Sequence, residues 1–240
     1  MKLLAFETAT EACSVALWID GEVRERFELA PRRQAELALP WADELLAEAG
    51  IARSQLHAIA VSRGPGAFTG VRLAISIAQG IALALDIPVV PVSTLAVLTM
   101  RAASGSQRIL AAIDARMGEI YLGAFVRSVD GLVKALGEEI LIPPQQSIDW
   151  LRIAQCDVVH AAHEPWIGVG SGFSAADGAL TPTLGGALDQ CDASALPHAS
   201  DLARLAVAAY DRGEALSPER VEPAYLRDKV ALTLSEQLKR

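Results

Sequence analysis

The segment from Ser62 to Arg72 has the residue types best suited to binding chemistry in this chain. It reads SRGPGAFTGVR and joins a short predicted strand to a long apolar helix. Backbone amides in a glycine-rich turn, together with the positive end of a helix dipole, can hold an anion such as a phosphate. The alternative is that the glycines only allow strand and helix to pack closely, and the sequence leaves both interpretations open.

The spacing in this loop departs from both standard nucleotide-binding motifs. Val71-Arg72 stands where the G-x-x-x-x-G-K-[ST] motif requires lysine followed by serine or threonine, and Thr69 stands where G-x-G-x-x-G requires its third glycine. These two motifs are therefore excluded.

Other groups that could do chemistry are sparse. Of the four histidines, only those in His160-x-x-His163-Glu164 have helix-like ligand spacing, but a zincin needs His-Glu-x-x-His and a third ligand. Asp114 and Glu119 flank a predicted turn, where carboxylates more often accept hydrogen bonds from turn amides. No Ser-His-Asp or Cys-His order stands out, so neither a catalytic residue nor a metal site is predicted.

The predicted helix Gly70–Leu85 has apolar residues all round its axis, interrupted only by Arg72, Ser76 and Gln79. Such a helix in a soluble protein must be covered on both faces, by its own sheet and by a second layer or a partner. Ala74, Ala78 and Gly80 would allow close approach. A protein–protein interface is the preferred interpretation, and burial wholly within the chain is the alternative.

The elements that position this loop and helix are predicted from residue periodicity and turn residues. Asp20-Gly21 predicts a type I′ hairpin, Pro40 a kink in the first helix and Gly50 its end. The predicted strands of the first half are Leu3–Phe6, Ser14–Ile19, Glu22–Glu28, His57–Ser62 and Val89–Val92, and its first helix is Gln34–Ala49.

A second half repeats the order of three strands followed by a helix, which indicates a duplicated α/β fold. Ser200 or Asp201 is the expected cap of a last helix, Leu202–Arg212, which ends at Gly213. The predicted elements before it are strands Ile109–Asp114, Glu119–Val126 and Leu136–Ile142 and a helix near Ser147–Leu151, whereas Pro143–Pro197 gives little signal. The expected division is an N-terminal lobe (1–106), a second lobe (107–199), a C-terminal helix and segment that pack back on the body (200–226), and a tail (227–240).

Composition limits the class of partner and the compartment. The chain has 240 residues and a net charge of −8, which makes it a poor tRNA binder on its own because such affinity depends on Lys and Arg neutralising phosphates. Cys13, Cys156 and Cys191 have no C-x-x-C spacing. The first apolar run ends at Glu7, too early for a signal peptide or membrane span, so a cytoplasmic protein with no membrane partner is expected.

Four segments together resemble the TsaB (YeaZ) family: FETATEACSVAL, SRGPGAFTGVRLAISIAQGIAL, IDARMGEIYLGAF and EPAYLR. The resemblance covers essentially the whole chain. It implies the fold of the actin, Hsp70 and sugar-kinase (ASKHA) superfamily, with two lobes that each contain a mixed five-stranded sheet and helices.

The resemblance also implies a non-catalytic scaffold for tRNA threonylcarbamoyladenosine modification. Such proteins pair with the TsaD threonylcarbamoyltransferase, and a TsaE ATPase completes the assembly. It further implies a homodimer when the chain is alone, tRNA contact only through the partner, and no cofactor in this chain, although a nucleotide at a subunit interface stays possible. Catalytic relatives carry metal-binding His-x-x-x-His after the strand that matches Val89–Val92, where this chain has Thr94 and Leu98.

The expected contact helices are Gln34–Ala49 and Phe68–Leu85. The residues predicted to bind the partner are Leu37, Trp41, Leu45, Gly64, Pro65, Gly66, Phe68, Thr69, Gly70, Arg72, Ala74, Ala78 and Ile81. Glu7 stands where superfamily ATPases commonly use Asp. Glu7, Thr8 and Thr10 could still touch a phosphate as a vestigial nucleotide contact, but their expected role is mainly structural. The segment Arg32-Arg33-Gln34 lacks a histidine that many relatives carry there.

The alternative function, from a different class, is a free-standing ATP-dependent kinase or phosphohydrolase of the same fold. It would work through Glu7, Thr8 and the Gly64–Gly70 loop.

Overall fold

The computed structural model describes residues 1–103, 105–154 and 165–227. His160, His163 and Glu164 lie outside these residues. The helices of the described part are α1 Gln34–Ala49, α2 Phe68–Leu85, α3 Thr94–Thr99, α4 Ser147–Ala154, α5 Ala175–Gly178, α6 Leu180–Leu184 and α7 Ala199–Asp211.

The first sheet has five strands in the order β3-β2-β1-β4-β5. These are β1 Lys2–Glu7, β2 Ala12–Ile19, β3 Glu22–Leu29, β4 Ala58–Ser62 and β5 Val89–Val92. The first three form an antiparallel meander, and β4 and β5 continue it in parallel with β1. Asp20 and Gly21 have φ angles of 48° and 109°, as the predicted type I′ turn requires.

The second sheet has the same strand order once one broken strand is recognised. Its strands are β6 Arg108–Arg116, β7 Glu119–Arg127, β8 Val133–Ala135, β9 Ile140–Ile142, β10 Trp166–Val169 and β11 Leu188–Asp192. The order is β11-β10-β6-β7-β8, and β9 also pairs with β7. Because β8 and β9 pair with opposite ends of β7, they replace the single third strand of the first sheet.

One strand of the predicted second half has different bounds. Of the range Leu136–Ile142, only Ile140–Ile142 form a strand, β9, because Gly137-Glu138-Glu139 are residue types disfavoured in strands, and β8 lies before this range. The second sheet therefore has six strands instead of five. Residues 143–197, which gave little signal, contain β10 and β11, both too short to show a clear period.

Alternate residues of the first sheet face different helices, as expected for strands. Leu4, Phe6 and Val61 pack against α1 and α2 in one buried cluster. Leu3, Ala5 and Ala60 face the other way, against α7. The sheet is therefore covered on both sides.

Each half also sends a helix to the opposite sheet. Helix α7 follows the second half in sequence but packs on the first sheet. Helix α3 lies within residues 1–106, yet Leu95 and Leu98 pack with Ile109 and Val169 of the second sheet. Val97 of α3 packs in the cluster of the first sheet, so this helix contacts both sheets.

The cap of α7 differs from the prediction. The helix begins at Ala199, and neither Ser200 nor Asp201 caps it with its side chain. Instead, the Ser14 hydroxyl accepts a hydrogen bond from the Ala199 amide at 2.9 Å, and a Glu25 carboxylate oxygen accepts one from the Ser200 amide at 3.1 Å. A neighbouring sheet thus supplies the cap, which sequence spacing along one helix cannot reveal.

Helix α2 is long and apolar enough to cross a membrane by length and composition alone. A single helix of this kind is weak support for a membrane span because core helices of soluble proteins pass the same test. Val71, Ala74, Ile75 and Ala78 of α2 pack in the core of the first sheet, so the helix is an integral part of this lobe.

Candidate functional site

The glycines of the Ser62–Arg72 loop allow it to touch the turn between β1 and β2. A Cβ atom at Gly66 would lie 2.4 Å from the Ala9 carbonyl oxygen, and one at Gly70 would lie 2.0 Å from the Thr8 carbonyl oxygen. The Ala67 amide donates to the Ala9 carbonyl at 2.7 Å. Of the two interpretations of this loop, the geometry favours close packing over anion binding.

Glu7 is fully buried at the end of β1. One carboxylate oxygen accepts a hydrogen bond from the Ala9 amide at 2.7 Å, and the other accepts the Ser62 hydroxyl. Burial raises the pKa of Glu7 to about 7, although these two hydrogen bonds and the charge of His198 act in the opposite direction. The carboxyl therefore ties β1 to β4.

The two threonines near Glu7 have different surroundings. The Thr8 hydroxyl is buried and donates to the Gly70 carbonyl at 2.7 Å, whereas Thr10 lines a cleft. Glu7 and Thr8 thus make hydrogen bonds within the chain, whereas Thr10, which is 9% exposed, forms part of the cleft wall.

Helix α2 has one packed face and one open face. Phe68 and Leu83 are 63% and 61% exposed, and Leu73 is half-buried between them on the helix surface. Gly80 has no atom within 4 Å of the place where a Cβ would be. The open face consists of Phe68, Thr69, Leu73, Ser76, Gly80, Leu83 and Ala84. We call it the α2 surface.

Several residues predicted to contact a partner do not lie on this surface. Ala74 and Ala78 are completely buried because they face the strands of their own sheet, and their small size serves that packing. Leu45 of α1 is buried in the same cluster, and Gly64, Pro65 and Gly70 are buried in or next to the loop. All six pack within the chain, and their role as partner contacts stays a prediction.

The remaining predicted contact residues are accessible to different degrees. Phe68 and Thr69 are exposed, and Leu37, Trp41, Gly66, Arg72 and Ile81 are half-buried. The predicted set does not include Leu73, Gly80 and Leu83, which also lie on the α2 surface. The sequence carries no signal for them, because the apolar residues lie all round the helix axis, and only the tertiary contact of Gly70 with the Thr8 carbonyl shows which face is open.

Thr94 and Leu98 lie on α3, directly after β5. Both side chains are buried, and Leu98 packs in an apolar cluster with Leu95, Ile109 and Val169. A Cβ at Gly170 would lie 2.4 Å from the Leu98 side chain. Apolar packing therefore fills this position. Within residues 1–103, 105–154 and 165–227, no group of three His, Cys, Asp or Glu side chains is placed to hold a metal.

A cleft of about 1010 Å³ separates the two lobes. Its walls come from the β1–β2 turn, the starts of α1 and α2, the β6–β7 hairpin and residues 223–227. Polar side chains such as Thr10, Gln34, Asp114 and Ser174 line it next to Phe68 and Tyr225.

The two carboxylates that flank the turn of the β6–β7 hairpin make different contacts, and only Asp114 bonds to the turn as predicted. Asp114 accepts a hydrogen bond from the Arg116 amide at 2.7 Å, which confirms its turn role. Glu119 instead pairs with Arg227 at 2.7 Å.

Comparison with known proteins agrees with this architecture. The sequence model of the family described as TsaD, tRNA N6-adenosine threonylcarbamoyltransferase, matches residues 28–233. The tRNA threonylcarbamoyladenosine biosynthesis protein TsaB of Escherichia coli is 38% identical over 96% of both chains. The Haemophilus influenzae protein of the same name is 36% identical over 96% of this chain and 95% of its own. This chain belongs to the TsaB family.

The solved structure of YeaZ from Pseudomonas aeruginosa supports the assignment to the TsaB family. It superposes with a TM-score of 0.81 at 43% identity, and the match covers 94% of this chain and 99% of that one. The fold, with its two mixed sheets and duplicated strand order, is thus that of the TsaB family.

Proposed function

We propose that this chain is a non-catalytic, cytoplasmic subunit that supports tRNA threonylcarbamoyladenosine synthesis by pairing with a TsaD-like threonylcarbamoyltransferase. A TsaE-like ATPase joins the pair, tRNA is reached through the partner, and the chain forms a homodimer when alone. Any nucleotide binds at a subunit interface. The α2 surface carries this proposal, because it is an open apolar face on a helix anchored in the core.

Burial of the α2 surface by a partner is energetically favourable. Phe68 and Leu83 expose more than half of their side chains, and Leu73 lies between them. Full burial of one such side chain contributes about 1.5–3 kcal/mol. Gly80 and Ser76, which are small, would let a second helix approach closely at the middle of the face.

The non-catalytic role is supported by the residues around Thr94. A hydroxyl and a leucine side chain cannot replace two imidazoles as ligands of iron or zinc. A metal-dependent group transfer would lose its charge stabilisation at this position. The net charge of −8 further supports a tRNA site on the partner.

The kinase or phosphohydrolase alternative is less well supported. Glu7 and Thr8, the residues it requires, make hydrogen bonds to Ala9, Ser62 and Gly70. ATP hydrolysis by the metal-replete chain alone, lost in Glu7→Ala, would favour the enzyme over the scaffold.

The scaffold is tested by reconstituting threonylcarbamoyl transfer with the TsaD-like enzyme, with and without this chain. We expect transfer to require the chain and Leu83→Arg to abolish both pairing and stimulation, because a charge would be buried without a partner. The matched control is Val129→Arg, at an exposed apolar residue of the second lobe. Normal pairing by Leu83→Arg would contradict the proposal.

A further inference from the structure

Residues Pro223–Arg227 cross the cleft and bond to both lobes. The Ala224 amide donates to the Arg63 carbonyl of the first lobe at 2.8 Å. At the other end, the Arg227 guanidinium donates to the Ala115 carbonyl at 3.0 Å and pairs with Glu119 at 2.7 Å, both on the β6–β7 hairpin of the second lobe. Five residues thus connect two elements that face each other across the cleft.

The middle of this segment is held by a stack of three side chains. The Arg72 guanidinium lies 3.3 Å from the centre of the Phe68 ring and 5.1 Å from that of Tyr225. Its terminal nitrogen also donates to the Tyr225 hydroxyl at 2.6 Å. A cation between two aromatic rings contributes about 0.5–1 kcal/mol per ring at exposed sites.

We propose that Pro223–Arg227 is a strap that holds the two lobes together over the cleft, with Arg227 as its releasable end. Within the described residues, the bonds of the strap to the second lobe are those of Arg227, whose side chain is only 16% exposed. Since the other described bonds of the strap are to the first lobe, loss of the Arg227 bonds frees the β6–β7 hairpin and lets the lobes move apart on this side of the cleft.

The strap also meets the α2 surface. Phe68 of this surface contacts Arg72, which in turn contacts Tyr225 of the strap, and the Tyr225 side chain is 61% exposed. A partner that covers the α2 surface would bury this stack and so favour the closed strap. By reciprocity, a released strap weakens partner binding. This coupling rests on the proposed function, whereas the strap itself does not.

The strap is tested by measuring lobe separation in the full chain. Spin labels at Ala47→Cys on α1 and Ile153→Cys on α4, both exposed, report the distance across the lobes, with Cys156 and Cys191 changed to serine. We expect Arg227→Ala to shift the distribution to longer, broader distances. The matched control is Arg53→Ala, which breaks an exposed ion pair with Asp43 within the first lobe and should change nothing.

A charge-swapped pair, Arg227→Glu with Glu119→Arg, should restore the short distances in part, because it restores the ion pair without the bonds to carbonyl groups. An unchanged distribution in both Arg227→Ala and Tyr225→Ala, with an unchanged unfolding midpoint, would overturn the strap.

The coupling is measured on the same variants. Arg227→Ala should weaken binding to the TsaD-like partner by about fivefold or more, while Leu83→Arg abolishes binding. Equal affinity in Arg227→Ala with separated lobes would overturn the coupling alone. Because the lobe distances are also compared with and without Arg227→Ala in the monomeric Leu83→Arg background, failure of pairing leaves the test of the strap intact.

Discussion

The Glu7 carboxyl is buried at the end of β1, the middle strand of the first sheet, where a polar group is costly. Its bonds to the Ala9 amide and the Ser62 hydroxyl fix the end of β1 against β4, which in turn positions the loop before α2. A single buried acid thus contributes to the geometry of the α2 surface without lying on it. Its ionisation should therefore be visible in stability.

We expect Glu7 to make the protein less stable as pH rises from about 5 to about 8. The pKa is about 7 in the folded chain, against 4.5 for the unperturbed group. Since the folded state keeps its proton longer, the stability is fully present below pH 4.5 and is lost as pH rises through 7. The difference between these two pKa values corresponds to at most about 3 kcal/mol in the free energy of unfolding.

Urea unfolding at about pH 5 and about pH 8 measures this loss of stability. Glu7→Gln should remove most of the difference, because an amide keeps the acceptor for the Ala9 amide but does not ionise. Glu22→Gln, at an exposed acid on β3, is the matched control and should leave it in place. The same pH dependence in Glu7→Gln would show that another group is responsible.

Helix α2 shows which features of an element the sequence can predict. The length of α2 follows from its run of apolar residues. In the same way, the end of α1 follows from Gly50, which has a φ of 64°. Which face α2 buries does not follow from an all-apolar pattern, because each direction around the axis looks alike. The close contact between Gly70 and the Thr8 carbonyl settles the orientation, and that contact is tertiary.

Gly70 and Gly80 therefore respond to the same substitution in opposite ways. Gly70→Ala would place a Cβ 2.0 Å from the Thr8 carbonyl oxygen, so backbone must move, at a cost of about 1–3 kcal/mol. Gly80→Ala meets open space in a helix interior and should stabilise the chain by up to about 1 kcal/mol. Thermal or urea unfolding checks both. Equal effects would mean that α2 is oriented differently.

On the scale of the whole molecule, the duplicated strand order could be predicted because each half contains the same series of local signals. The exchange of helices could not be predicted, because α7 packs on strands that are distant in sequence and no local signal shows that α3 packs on the sheet that follows it. Of the residues on the α2 surface, only Phe68 and Thr69 were predicted as contacts, and the segment that ends at 226 was predicted to pack back on the body without its bonds to both lobes. Arg72 and Tyr225, like Arg227 and Glu119, are ordinary polar residues in sequence, and each pair meets only in the folded chain.

The assembly expected from this architecture allows only one occupant of the α2 surface at a time. If homodimer and heterodimer both use it, adding the TsaD-like partner should convert the homodimer into the heterodimer as the concentration of partner rises. Native mass spectrometry of mixtures measures the three species directly. Leu83→Arg should be monomeric in both settings, whereas Val129→Arg should behave as the unmodified chain. A stable complex that contains two copies of this chain still joined through α2, with the partner bound elsewhere, would contradict a shared surface.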